Sequence, residues 1–238
     1  MSDTGCIRPN NEDYCRVLPE LGLFLLADGM GGARGGETAS RLAVDTIADA
    51  LQTAPVRDAS TLLKAVEESN SRVLDQANRD VRLEGMGTTV VAALHTGTAE
   101  DGNEDVAIAS VGDSRAYLHD DTGLRAITQD QTWVHEVGKP LGLDEESLRT
   151  HPMRHVLTMA IGVGSTLTIK YYMVSLRPGA TLLLSSDGLH GVVQPDQIQQ
   201  VLSDAATLEQ KCRRLIEAAR NAGGPDNISC VLIHATAA

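Results

Sequence analysis

Leu25-Leu26-Ala27-Asp28-Gly29 and Leu183-Leu184-Ser185-Ser186-Asp187-Gly188 read almost alike. In each, an apolar run of strand character ends on an aspartate followed at once by glycine. The strand delivers a carboxylate to its end, and glycine allows a sharp backbone turn there. A third acidic turn, Gly224-Pro225-Asp226-Asn227, opens the last apolar run, 228–233. Carboxylates that converge from strand ends repel one another unless a cation neutralises them, because unpaired buried charge is prohibitive. The pattern points to a metal site.

Outward from these stretches, residues 14–18 and 23–27 read as two strands joined by the turn Pro19-Glu20-Leu21-Gly22. Apolar residues at Ala39, Leu42, Ala43, Ile47, Ala50 and Leu51 form a helical stripe over 37–51. A second helix is predicted over 59–79, with Leu62, Leu63, Val66, Val73, Leu74 and Ala77 on one side. Strands follow at 88–95, 105–111, 115–119 and 124–127, then at 169–176, 181–185 and 228–234. Pro195 suits the first turn of a short helix to 202, and Thr207 can cap a longer one to about 222. The stretch 128–164 is polar, carries Pro140 and Pro152, and reads as a mobile flap. Strict βαβ alternation is absent, so a doubly wound parallel sheet is disfavoured. Antiparallel sheets stacked with helices outside fit this order better, in one domain spanning 1–238.

The formal charge of −12 argues against a nucleic-acid groove or an anionic membrane surface. Residues 1–13 show no signal-peptide pattern, and the apolar run 21–27 is too short to span a bilayer. A cytoplasmic protein is expected. Cys6, Cys15, Cys212 and Cys230 form no C-x-x-C pair, which disfavours zinc, and reduced, core-filling thiols are expected at all four. None has arginine six positions later, so the phosphate loop of cysteine-nucleophile phosphatases is missing.

Arg8-Pro9-Asn10-Asn11-Glu12-Asp13 sets one cation beside two carboxylates ahead of a strand. Together with Asp28-Gly29-Met30-Gly31-Gly32, Gly85-Met86-Gly87-Thr88-Thr89, Gly112-Asp113-Ser114-Arg115, His155-Val156-Leu157-Thr158, Ser186-Asp187-Gly188 and Pro225-Asp226-Asn227, the ordered segments resemble the metal-dependent serine/threonine protein phosphatases of type 2C, in particular their compact bacterial members. The resemblance covers nearly the whole chain.

It implies an α+β fold, an αββα sandwich of two antiparallel sheets flanked by helices. It implies hydrolysis of phosphoserine and phosphothreonine in proteins with Mn2+ or Mg2+, hard cations suited to all-oxygen ligands and retained waters. By similarity, Asp28 bridges two ions; Glu12 and the carbonyl of Gly29 complete one, Asp187 and Asp226 the other. Gly29 has to be small so that its carbonyl can turn toward the ion. Asp13 holds a metal-bound water, Asp113 joins Asp187 at a third, weaker ion, and Arg8 grips the substrate phosphate through its planar fork of donors. A water bridging two cations then loses a proton and attacks phosphorus in line, with no phosphoenzyme. The partners implied are phosphorylated proteins and a cognate Ser/Thr kinase, and the enzyme is expected to be a monomer.

The chain departs from the family pattern in several places, three of them at single residues. Met30 stands where eukaryotic relatives carry histidine, Ala33 where bacterial members often do, and Met159 replaces an arginine. No side chain is thereby marked as proton donor to the leaving alkoxide, and a metal-bound water is expected there.

Four other readings compete. Ser114, His190 and Asp187 could form the triad of a G-D-S serine hydrolase, but those enzymes carry G-D-S near the N-terminus of a parallel α/β fold. It would also leave Glu12, Asp28 and Asp226 without a role. His151 and His155 stand four apart and could hold zinc on one helical face, though Pro152 lies between them and no third ligand is in view. The Gly-rich segment 29–36 lacks the G-K-[ST] of a nucleotide loop. A phosphatase-like regulatory module, weak or inactive, is the non-enzyme alternative, but such modules usually lose a metal carboxylate, and all are present here.

Overall fold

The computed structural model describes residues 1–31 and 35–236. Ala33 therefore lies outside the described residues. Eleven strands assemble two antiparallel sheets among these residues. The first contains β1 (Ser2–Asp3), β11 (Ile228–His234), β10 (Thr181–Ser185), β7 (Arg115–Asp120) and β8 (Gly123–Ala126), in that order. The second runs β2 (Asp13–Leu18), β3 (Leu23–Met30), β5 (Val90–Thr98), β6 (Glu104–Val111) and β9 (Lys170–Leu176), with β4 (Gly87–Thr88) pairing to the end of β3. Helices α1 (Gly35–Thr53) and α2 (Ala59–Arg79) cover the second sheet. The first sheet is covered by α4 (Asp187–His190), α5 (Pro195–Ser203) and α6 (Leu208–Asn221). The expected four-layer sandwich is the observed one.

Strand alternation explains the layering, because successive side chains point to opposite faces. Leu23, Leu25 and Ala27 of β3 pack under α1 and α2 with Ala43, Ile47 and Val66. Leu26, one residue out of phase, enters the layer between the sheets and meets Val91, Ile108, Leu118, Leu182 and Leu184. On β10, Leu183 takes the opposite face and packs with Leu189, Ile198, Leu215 and Ile216. Local chemistry sets the helix starts: Asp58 accepts from the Thr61 amide, and Thr207 with Gln210 forms a capping box.

Some expectations change. β1, which sequence reading left out, adds a two-residue edge to β11. Cys212 and Cys230 are buried as expected, whereas Cys6 is exposed. Residues 128–164 carry a π-helical turn, Val134–Gly138, and α3 (Glu145–Thr150). The segment is hydrogen-bonded to the sandwich at both ends. Arg115 holds Asp130 through two hydrogen bonds of 2.6 and 2.7 Å, and the Gln131 side-chain Nε2 donates to the Thr168 carbonyl. At the far end, Asn70 of α2 accepts from Gly162 N and donates to Gly164 O.

Candidate active site

Antiparallel register brings the acidic strand ends to one rim of the sandwich. Asp13 opens β2 opposite Asp28 of β3, and Asp28 shares the face of Leu26, which looks into the layer between the sheets. In the other sheet Ser185 pairs with Cys230 and Arg115, so Asp187 leaves β10 beside Asp226, which precedes β11. Asp113 sits on the β6–β7 turn, where Gly112 takes φ of 95°; a non-glycine residue would be strained there. Arg8, Glu12, Asp28, Asp113, Asp187 and Asp226 line one cleft of about 850 Å³. Asp13 lies beneath it, 7 % exposed.

Hydrogen bonds fix this rim. Asn227 accepts from the Glu12 amide at 2.7 Å and donates to the carbonyls of Thr4 and Asn10, clamping the loop ahead of β2 onto the start of β11. Thr89 Oγ1 accepts from the Asp28 backbone amide at 3.0 Å and shares a 2.7 Å bond with Ser114, next to Asp113. Ser186 donates to Oδ2 of Asp13 at 2.8 Å. Sequence reading quoted Asn227, Thr89 and Ser186 inside motifs but gave them no role, because their partners lie far along the chain.

The two D-G glycines are required for a different reason than a sharp turn. Gly29 continues strand β3 opposite Thr88, and Gly188 lies within α4. A Cβ on Gly29 would overlap the Gly36 carbonyl and stand 2.7 Å from the Glu12 carbonyl oxygen, and a Cβ on Gly188 would overlap the Asn227 carbonyl oxygen. Both positions are needed for close backbone approach. Gly188→Ala is expected to destabilise the fold by about 2–3 kcal/mol, a loss of about 5–10 °C in Tm for a chain of this size. An unchanged calorimetric Tm would mean that the α4–β11 contact relaxes freely.

The electrostatics of the cleft are dominated by negative charge out of water. Burial, and then Asp13, Asp187, Asp113 and Asp226, hold the Asp28 carboxyl well above the usual carboxylate range. Burial pushes Asp13 up to about 7. It also pushes Asp113 up to about 7, with Asp187 and Asp130 adding to the effect. Asp187 is raised by burial and by Asp226, and Glu12 by burial. Arg8 is not free: its Nη2 donates to Asp226 Oδ2 at 2.7 Å, which raises its own pKa further.

These residues fit a divalent cation. Oδ1 of Asp13 is enclosed and has no hydrogen-bond partner among the described residues, and the charge of the clustered carboxylates exceeds what Arg8 neutralises. The donor set is all oxygen, as hard cations prefer. Among the described residues, no three acidic side chains are gathered tightly enough to hold one ion by themselves. The remaining positions would fall to carbonyls and water, the coordination habit of Mg2+ and its analogues.

The competing constellations do not assemble. Ser114 bonds Thr89, whereas Nδ1 of His190 bonds Ser185 Oγ at 2.9 Å, so the hydrolase triad is absent. His151 stacks flat on Trp133, with ring centroids 4.1 Å apart, while His155 lines the cleft.

Comparison with known proteins agrees with this architecture. The Protein phosphatase 2C family profile matches residues 9–232. The serine/threonine phosphatase stp of Listeria monocytogenes is 35% identical over 240 residues, covering 98% of this chain and 93% of that one. The crystal structure of the Mycobacterium tuberculosis serine/threonine phosphatase PstP/Ppp superposes with a TM-score of 0.88 at 34% identity, covering 99% of this chain and 97% of that chain. A structure of the PstP catalytic domain in complex with two manganese ions gives a TM-score of 0.84 at 34% identity, covering 98% and 94%. With the acidic segments, the sandwich and a match over nearly its full length all in agreement, the chain belongs to the protein phosphatase 2C family.

Proposed function

We propose that this protein hydrolyses phosphoserine and phosphothreonine in phosphoproteins with Mn2+ or Mg2+. The observation that carries the reading is the convergence of Glu12, Asp28, Asp113, Asp187 and Asp226, from five separate segments, on one cleft. In this reading Glu12, Asp28, the Gly29 carbonyl, Asp187 and Asp226 would together hold two ions. Asp113 with Asp187 would hold a third, weaker ion, and Asp13 would steady a metal-bound water from below. Bound divalent cations supply the positive charge that offsets the phosphoryl oxygens and makes water a nucleophile at neutral pH.

The chain's own residues bind and orient. Arg8 is exposed at the mouth of the cleft and paired to Asp226. A short swing of its guanidinium carries two parallel donors to a phosphate oxygen pair. Thr89 fixes the backbone at Asp28, and Ser186 keeps the Asp13 carboxylate from turning away. We take residues 1–238 to act as one catalytic unit, with 128–164 flanking the cleft as its flap. Among the described residues no helix is long and apolar enough to cross a membrane. We place the enzyme in the cytoplasm as a monomer acting opposite a Ser/Thr kinase.

The test is dephosphorylation of a phosphopeptide panel in Mn2+, with and without chelator. Turnover of phosphoserine and phosphothreonine peptides that chelation abolishes is expected. Chelator-resistant turnover, or none with Mn2+, would overturn the assignment.

A further inference from the structure

We propose that His155 is the general acid that protonates the leaving serine or threonine oxygen. The inference rests on the phosphatase reading above and goes beyond it, replacing the metal-bound water expected from the sequence. Breaking an alkyl phosphate ester sends the P–O electron pair onto an alkoxide, a poor leaving group that needs a proton as the bond breaks. Something in the cleft has to supply it.

The candidates are few. Among the described residues, the lining holds no lysine, tyrosine or cysteine, and of the chain's seven histidines His155 alone lies there. Arg8 cannot give up its proton, as guanidinium stays charged at any working pH. Glu12, Asp28, Asp113, Asp187 and Asp226 are the oxygen donors of the cleft, and Asp13 is buried beneath it with Oδ2 tied to Ser186. Imidazole is also the side chain whose proton exchange is suited to neutral pH.

The position of His155 suits the task. Its backbone is held from both sides: Trp133 N donates to Val156 O at 2.8 Å, Thr158 N donates to Gln131 O at 2.9 Å, and Thr132 and Leu157 form a bridge. The ring, by contrast, has no hydrogen-bond partner among the described residues and is exposed on the cleft wall, within electrostatic reach of Asp187. It lines the cleft from the segment 128–164, together with Leu157. In the step, water oxygen forms the new P–O bond and the old P–O bond breaks toward the side-chain oxygen. The imidazolium proton moves to that oxygen, giving the free hydroxyl. The proton lost by the attacking water goes to solvent, from which the exposed imidazole is recharged.

Leaving-group dependence provides the test, because p-nitrophenolate leaves without protonation whereas the serine alkoxide does not. His155→Gln and His155→Ala are expected to lower kcat on a phosphoserine peptide by about 10²-fold, with less than about 3-fold loss on p-nitrophenyl phosphate. Added imidazole is expected to restore part of the phosphopeptide activity of His155→Ala. Titration calorimetry with Mn2+ and the Tm are expected to match the wild type in both variants. Equal losses on the two substrates, or no loss on the phosphopeptide, would overturn the assignment while leaving the phosphatase reading intact. A wild-type protein inactive on both substrates in Mn2+ would remove that reading and this one together.

Discussion

Replacing Asp28 by asparagine is expected to abolish turnover and, at the same time, to raise the Tm of the metal-free protein. The two effects have one cause. The Asp28 carboxyl is held well above the usual carboxylate range by burial and by the charges of Asp13, Asp187, Asp113 and Asp226. Without cations, the fold pays for that charge either by ionising it out of water or by taking up a proton. Asparagine keeps the shape and removes the charge. Each unit of pKa relief is worth about 1.4 kcal/mol, or about 3–5 °C here. The same change removes the anionic oxygen that two ions would share, and a loss in kcat on the order of 10⁴-fold follows. Calorimetry in chelator and phosphopeptide kinetics in Mn2+ read the two arms. Turnover within tenfold of wild type, or a lowered metal-free Tm, would contradict the role given to Asp28.

Divalent cations are expected to stabilise the protein strongly at pH 8 and weakly at pH 5. A carboxyl whose folded pKa is raised costs nothing below its unfolded value near 4, costs progressively more as pH rises, and costs its full amount above the folded value. Asp13 and Asp113 are both pushed to about 7, so the cost accumulates between about pH 4 and pH 7. Cations relieve it, and they bind only the deprotonated ligands. At free Mn2+ near 100 times Kd the gain is about 2.7 kcal/mol per ion, or about 5–10 °C, shrinking to about 2 °C or less at pH 5. His190 works in the opposite direction: burial lowers its pKa, so protonation destabilises the fold as pH falls through the range of free imidazole. The difference between Tm in Mn2+ and in chelator isolates the cleft from that background. An equal difference at pH 5 and pH 8 would show that the carboxylates are not the seat of the coupling.

The elements were legible because their signals are local. The helix at Ala59–Arg79 and the strands at Thr181–Ser185 and Ile228–His234 match the periodicity of their own residues to the last position. Edges without such a signal were not: β1 is two residues long and exists only because β11 offers it a partner. The acidic positions were also legible, since a carboxylate closing an apolar run stands out in any strand. The proposed hold of Arg8 on phosphate met a rival partner, Asp226, 218 residues away, and the reason for Gly29 and Gly188 was close approach rather than turning.

By itself, the sequence determined the layered α+β architecture, the antiparallel pairing and the identity of the acids, because side-chain alternation, capping and turn chemistry act over a few residues. The tertiary structure decided which face each acid shares, how far it is withdrawn from water, that Asn227 ties Glu12 to the last strand across 215 residues, and that His155 reaches the cleft. Burial and charge repulsion are sums over surroundings that distant segments build together, so they arise only once the sheets have closed on one another.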